Sequence, residues 1–341
     1  MGLFNFFSSE IAIDLGTANT LIWVKGKGIV LNEPSIVAYS KDSKQIIAIG
    51  DEAQAMVGKT HRDITVTRPI RDGVIADFEI TEGMLRAFIR KVATSWQPAQ
   101  RIIVSVPSGI TPVEKRAVRD SCEQAGAKEV HLIPEPMSAA IGIGIDVNDS
   151  LGNLIVDIGG GTTEIAVIAL SGIVVDESIK TAGDDMNNAV AMWFRRQHNI
   201  LIGDRTAELI KCSVGTAMPL EEELEIEVKG RDLLGGVPRM IRVSSADIRQ
   251  ALSESVNTIV EAILKLLERT PPELSADIYD RGIMLSGGGA LLKGLDKKIM
   301  EVTNLPVHIP DNPLEAVARG TGKVLDNFGE YKKVLLKSSR F

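Results

Sequence analysis

The chain has 341 residues, 44% apolar and 24% charged, with a formal charge of -7 that argues against nucleic acid as a main partner. Cys122 and Cys212 alone are too few for a disulfide framework. No apolar run approaches the roughly 20 residues of a membrane span and nothing resembles a secretory leader, so a two-domain cytoplasmic protein is expected.

The first residues, MGLFNFFSSE, would set Leu3, Phe4, Phe6 and Phe7 within about 160° of one another on a helix. Two uses of that apolar wedge stay open: a terminus tucked onto the core, or an anchor inserted beneath lipid headgroups. Myristoylation does not explain it, because Phe6 stands where that motif wants Ser or Thr.

Residues 11–24, IAIDLGTANTLIWV, read as strand, Asp, Gly turn and second strand. The same order returns at 154–168 as LIVDIGGGTTEIAVI, laying Asp14 on Asp157, Gly16 on Gly159 and Thr20 on Thr163. A repeat spaced by about half the chain suggests a duplicated, two-lobed architecture. Small turn residues let backbone N–H groups approach phosphate oxygens, and Thr17, Thr20, Thr162 and Thr163 add hydroxyl donors. A carboxylate repels phosphate, so Asp14 and Asp157 suit a Mg²⁺ held largely through water. The plainer alternative is two ordinary hairpins.

Between the repeats, GIVLNEPSIVAYSKDSKQIIAIG reads as short strands. AMVGKT is no P-loop, since Ala53 occupies the place of the required first glycine. The spacing of Met84, Leu85, Phe88, Ile89 and Val92 predicts a helix over 82–96. Trp96 in the following loop suits either partial packing or an interfacial zone. RIIVSVP is a strand, and a helix should follow with Thr111 as N-cap, Pro112 first, Glu114 closing a capping box and Gly126 at its end. Glu135 lies between Pro134 and Pro136, which stiffen its backbone. It could orient or deprotonate an attacking water, or be a solvated loop carboxylate.

After the second repeat, one helix should start near Asp184 and another should run from an Asp204 cap to Gly215, placing Glu208 and Lys211 on one face. These two either pair at the surface or reach a ribose or purine edge. A polar β hairpin follows, then a long amphipathic helix from Ser244 through Ile248, Leu252, Val256, Ile259, Ile263 and Leu266. RGIMLSGGGALLKGLDKKIME repeats strand, Gly turn and helix, with Ala290 and Leu291 opening the helix and the glycines letting a flat base approach. The chain closes with helical NPLEAVARGTGKVL and a tail carrying Lys332, Lys333, Lys337 and Arg340, either solvated or meeting anionic lipid.

Five segments in order resemble motifs of the actin, sugar kinase and heat-shock chaperone ATPase superfamily. DLGTANT and VDIGGGTTEIAV are similar to its phosphate motifs, IPEPMSAAIG and NPLEAVARG to its connecting helices, and SGGGALLKGL to its adenosine motif. Within that group the wording resembles the MreB family of bacterial actins over nearly the whole chain. The resemblance implies an α/β actin-like fold: two ribonuclease H-like domains around a nucleotide cleft, each with a smaller subdomain. It places the first lobe at 1–145 with a small subdomain at 33–70, and the second at 146–312 with one at 180–242. Residues 313–341 would return to the first lobe.

By the same resemblance Gly16, Thr17, Ala18, Asn19, Gly159, Gly160 and Gly161 would line the phosphates of ATP, and Asp14 and Asp157 would serve Mg²⁺. Glu208, Leu209, Ile210 and Lys211, with Gly288, Gly289, Ala290 and Leu291, would hold ribose and adenine. Glu135 and Thr162 match positions that place the hydrolytic water; a threonine is no strong base, so Thr162 would orient and Glu135 polarise. The implied protein is a slow ATPase that assembles with itself into filaments at the inner face of the cytoplasmic membrane. There it would meet membrane proteins of the cell-wall elongation machinery and maintain rod shape, with Leu3, Phe4, Phe6, Phe7 and Trp96 as lipid contacts. The alternatives are a small-molecule kinase on the same ATP core, for which no sugar-binding signature is found, and a chaperone ATPase, for which the chain ends too soon.

Overall fold

The computed structural model describes residues 9–92 and 99–337. The first half gives β1 (Ser9–Leu15), β2 (Asn19–Val24), β3 (Gly28–Pro34), β4 (Val37–Ser40), β5 (Ile46–Ile49), α1 (Gly50–Met56), β6 (Ile64–Thr67), β7 (Ile70–Arg71) and β8 (Val74–Ile75). It continues through α2 (Phe78–Val92), β9 (Ala99–Val106), α3 (Pro112–Gln124), β10 (Glu129–Pro134) and α4 (Glu135–Gly142). The second half gives β11 (Asn153–Ile158), β12 (Thr163–Ala169), β13 (Gly172–Ile179), α5 (Gly183–His198), β14 (Ile200–Leu201), α6 (Asp204–Val214), β15 (Glu225–Asp232) and β16 (Pro238–Ser244). Then come α7 (Ser245–Arg269), α8 (Pro272–Arg281), β17 (Ile283–Ser286), α9 (Leu295–Thr303), β18 (Val307–His308), α10 (Ala316–Asp326) and the single turn α11 (Phe328–Tyr331).

The duplication seen in the sequence is a duplication of topology. One five-stranded sheet has the order β10-β9-β1-β2-β3 and the other the matching order β18-β17-β11-β12-β13. In each, the acid-bearing strand pairs antiparallel with its hairpin partner and parallel with a strand from much later in the chain. Parallel pairing needs long crossovers, and these bring the helices that cover the sheet faces. Two three-stranded sheets, β5-β4-β6 and β14-β15-β16, accompany the large ones.

Each lobe has its own core on one face of its large sheet. Met84, Leu85 and Phe88 of α2 pack with Ile13, Ile102 and Val104, and Ile248, Leu252, Ile259 and Ile263 of α7 join Val156, Val167 and Phe194. The opposite faces of both sheets share a third core. It holds Ala12 and Ile103 from one sheet, Ile155 and Ala166 from the other, and residues of α4 and α10. The helices are exchanged: α4 follows β10 but packs on β11 and β12, while α10 follows β18 but packs on β1, β2 and β9. They cross backbone to backbone. A Cβ on Gly142 would lie 1.8 Å from the Ala316 carbonyl oxygen, and one on Gly320 would lie 1.7 Å from that of Ser138.

Three local expectations are corrected. Helix α2 begins at Phe78, a turn before Glu82, because the Asp77 carboxylate accepts from the Ile80 N–H at 3.1 Å and works as a cap. Asp204 does not cap α6. It is the first helical residue after Gly203, and no side-chain cap bond forms. Ala290 and Leu291 lie in a 3₁₀ turn over Gly288–Leu291, and the α-helix opens only at Leu295 after the left-handed Gly294. The Thr111–Glu114 capping box forms as read, and Ser244, expected to begin α7, is its N-cap.

The crossing of α4 and α10 leads to a test. Gly320→Ala should lower stability by about 1–3 kcal/mol or more, because a backbone carbonyl cannot step aside as a side chain can. Gly329→Ala, where a Cβ meets nothing within 4 Å, should shift it by less than about 0.5 kcal/mol in the same denaturation series. Equal effects would mean that the crossing tolerates separation.

Candidate functional site

Both hairpins end at one cleft of about 420 Å³ between the lobes, of a size to bury much of a small ligand. In β1 the residue pairs Asp14–Leu21 and Leu15–Thr20 lead into the turn, and in β11 the pairs Asp157–Glu164 and Ile158–Thr163 do the same. Each aspartate is thus the penultimate residue of its strand. The two turns nearly touch. A Cβ on Gly160 would meet the Ala18 Cβ at 2.8 Å, and one on Gly161 would meet the Thr17 hydroxyl oxygen at 2.5 Å. Glycine is required there by the approach of the opposite turn, independently of any phosphate.

The second turn is held from below. Gly183 and Asp184 donate their backbone N–H groups to the carbonyls of Gly159 and Gly160 at 3.1 and 2.8 Å. Among the described residues the N–H groups of Thr17, Ala18, Gly160 and Gly161 have no hydrogen-bond partner, and all four residues line the cleft. Facing rows of unpaired amides form an anion nest. Gly16, Asn19, Gly159 and Thr162 line it as well.

Behind the turns lies a cluster of carboxylates. Ser105 donates to Asp14 at 3.0 Å and Ser286 to Asp157 at 2.6 Å, each serine sitting opposite its aspartate on the parallel neighbour strand. Burial pushes the Asp14 carboxyl up to about 7, with the Asp157 charge adding and the Ser105 bond opposing. Burial likewise pushes Asp157 up to about 6, against the Ser286 bond. Glu135 is raised well above the usual carboxylate range by burial and then by Glu164, Asp14 and Asp157.

Glu135 opens α4 directly after Pro134, with partial access to the cleft, and no group among the described residues hydrogen-bonds its carboxylate. The described residues contain no cluster of three or more ligating side chains that could hold a bare metal ion. They do fit a hydrated cation, because two buried acids from opposite lobes each keep one oxygen free of their serine.

On the far side, Glu208 and Lys211 line the cleft, and Lys211 donates to the Gly183 carbonyl at 3.0 Å. Burial lowers the Lys211 pKa. Leu209 and Ile210 are not brought to the cleft: Leu209 is 58% exposed and Ile210 is fully buried in the core. Gly288, Gly289 and Leu291 line it, whereas Ala290 packs into the core. Gly287 and Gly289 are glycines because Ile158 presses on them, at 2.3 and 2.2 Å from their missing Cβ atoms. Sequence reasoning missed Ser105, Ser286, Asp184 and Asn187. The serines carried a signal in the matched endings Ile102-Ile103-Val104-Ser105 and Ile283-Met284-Leu285-Ser286. Asp184 and Asn187 line the cleft one turn apart on α5, and the buried Asn187 Oδ1 has no partner. Leu3, Phe4, Phe6, Phe7 and Trp96 lie outside the described residues.

A two-lobed α/β fold with exchanged connecting helices and facing Gly turns defines an actin-like protein. The MreB5 protein of Spiroplasma citri, solved bound to AMPPNP, is 38% identical with a TM-score of 0.90, covering 96% of this chain and 98% of its own. The same protein has been solved bound to ADP. A MamK double helical filament shares the fold at a TM-score of 0.79 and 21% identity, over 93% of this chain and 98% of that one.

The family model described as MreB/Mbl protein matches residues 8–333, and the chain belongs to that family. It is 50% identical to the cell shape-determining protein Mbl of Bacillus subtilis strain 168, covering 96% of this chain and 98% of that protein. It is 51% identical to the cell shape-determining protein MreB of Escherichia coli strain K12, covering 94% of each.

The buried aspartates make stability depend on pH. With its pKa raised from about 4 unfolded to about 7 folded, Asp14 contributes stability that is fully present below about pH 4 and lost as pH rises through about 7. Asp14→Asn keeps an acceptor for Ser105 and removes the titration. The nucleotide-free variant should therefore melt higher than wild type at pH 8, and the gap should close toward pH 4. A gap that does not change with pH would show that Asp14 is not held out of water.

Proposed function

We propose that the chain is an ATP-binding and ATP-hydrolysing cytoskeletal protein that assembles into filaments, associates with the inner face of the cytoplasmic membrane and maintains cell shape by organising wall synthesis. The observation that carries the nucleotide reading is the pair of facing turns, each with unpaired amides in front and a buried aspartate behind. The AMPPNP and ADP complexes of the Spiroplasma relative support it, as do the names of the Mbl and MreB relatives for cell shape. Membrane association rests on the apolar residues Leu3, Phe4, Phe6, Phe7 and Trp96. Among the described residues no helix is long and apolar enough to cross a membrane.

In this reading the lobes span 1–145 and 146–312, and the nucleotide phosphates lie between the amides of Thr17 and Ala18 on one side and Gly160 and Gly161 on the other. Asp14 and Asp157 would hold a hydrated Mg²⁺, which when bound supplies positive charge against the phosphates. Glu208 and Lys211 face the ribose, with Gly288, Gly289 and Leu291 beside the base. Glu135, placed by Pro134 and backed by three acids, is a better proton acceptor than an ordinary carboxylate and polarises the attacking water. Thr162 orients that water with its hydroxyl. A γ-phosphate touching both turns favours the closed lobes, and its loss weakens that bridge. Lobe angle then sets whether successive copies meet in register along an open, head-to-tail filament.

Sedimentation over a concentration series with ATP and Mg²⁺, with ADP and without nucleotide tests the assembly. The expected result is a threshold above which pelleted mass grows linearly, with additional pelleting on liposomes. Glu135→Ala should slow phosphate release by about 10²-fold and leave ATP binding nearly intact. No pellet in any condition would remove the filament, and lost ATP binding would make Glu135 structural.

A further inference from the structure

Glu164 does not line the cleft, yet it is one of the least expected residues in the molecule. It is an acid with no exposed surface, in the strand that follows the second phosphate turn. It stands directly opposite Asp157 on one side and Ser178 on the other. Like charges directly opposite in a sheet are unfavourable, so a core strand would gain from an apolar residue here. What holds the carboxylate is a set of three donors. Ser108 gives its backbone N–H at 3.0 Å and its hydroxyl at 2.8 Å to Oε2, and Ser178 gives its hydroxyl at 2.6 Å to Oε1.

Those donors come from both lobes. Ser178 lies on β13 of the second sheet, and Ser108 lies between β9 and α3 of the first. The segment around Ser108 is pressed onto the second lobe at neighbouring points. A Cβ on Gly109 would stand 3.4 Å from the Ser178 Cβ, and one on Gly73 would meet Pro107 at 2.8 Å and Thr162 at 2.9 Å. Thr162, two residues before Glu164, belongs to the water-placing pair, whose other member Glu135 directly follows β10 of the first sheet. The spacing of that pair therefore depends on how the lobes meet at this seam.

We propose that Glu164 is a positioning residue: its carboxylate is a crossbar that fastens the 107–109 segment of the first lobe to β12 and β13 of the second, and so sets Glu135 against Thr162. The role rests on the ATPase reading above. A crossbar acts through geometry, so it should affect turnover far more than nucleotide affinity, since misplacement of a reacting pair by about 1 Å reaches 10²-fold in rate.

The test uses Glu164→Ala and Glu164→Gln in the full chain, with two readouts. Gln can keep all three bonds: its carbonyl accepts both Ser108 donors and its amide donates to Ser178. Ala removes them all. Glu164→Ala should lower kcat for ATP by about 10-fold or more, with KM within about threefold, and should speed amide hydrogen exchange at Ser108 by about 10-fold. Glu164→Gln should restore both to near the wild-type values. Ser108→Ala, which spares the backbone bond, should fall between and guards against an Ala variant that does not fold. Faster exchange with unchanged kcat overturns the positioning role, and so does a Gln variant as slow as Ala, because charge rather than the crossbar would then matter. A wild-type chain that binds ATP without turnover refutes the ATPase reading and the kinetic half of the proposal. Exchange at Ser108 still decides whether the crossbar exists.

Discussion

The approach of the two glycine turns, at distances that leave no room for a Cβ on Gly160 or Gly161, is the constraint on which the rest of the structure depends. Each turn is the tip of a hairpin in a different lobe, so their contact fixes where the sheets end relative to each other. It creates the nest of unpaired amides, and it brings Asp157 close enough to raise the pKa of Asp14. It also needs the lobes joined without slack behind the cleft. The exchanged helices α4 and α10 do that by crossing at Gly142 and Gly320, where only backbone separates them.

Electrostatics explains why such a cleft is poised for a ligand. Asp14, Asp157, Glu135 and Glu164 are four acids in one region, and burial raises all of their pKa values. Serine hydroxyls engage three of them, which holds geometry without cancelling charge. A buried charge without a counter-charge is expensive, and the proposed hydrated cation with its phosphate ligands would remove much of that penalty. In the proposed reading, binding energy would thereby be directed to the seam between the lobes. Hydrophobic burial, by contrast, is kept within each lobe and in the shared layer around α4 and α10.

Much of this was legible in the chain because the informative features are local. Strand, Asp and Gly turn occupy a dozen adjacent residues, and their repetition revealed the duplication; the Thr111 cap also lies within four residues of its partner. What the sequence hid is long-range. Ser105 reaches Asp14 across 91 positions and Ser286 reaches Asp157 across 129, through parallel pairing that no window contains. Carrying residues over in blocks also took in too many. Glu208 and Lys211 share a helical face, while Leu209 and Ile210 between them must point elsewhere. Glu164 carries no local signal, because nothing beside it shows that its partner Ser108 belongs to the other lobe.

The central claim is that one nucleotide is gripped by both duplicated turns at once. A crystal structure of this chain with AMPPNP and Mg²⁺ tests it most directly. The account predicts phosphate oxygens hydrogen-bonded by the amides of Thr17 or Ala18 and of Gly160 or Gly161, with the metal reached through water from Asp14 and Asp157. A nucleotide held by the turn of one lobe alone, or a metal remote from both aspartates, would contradict it.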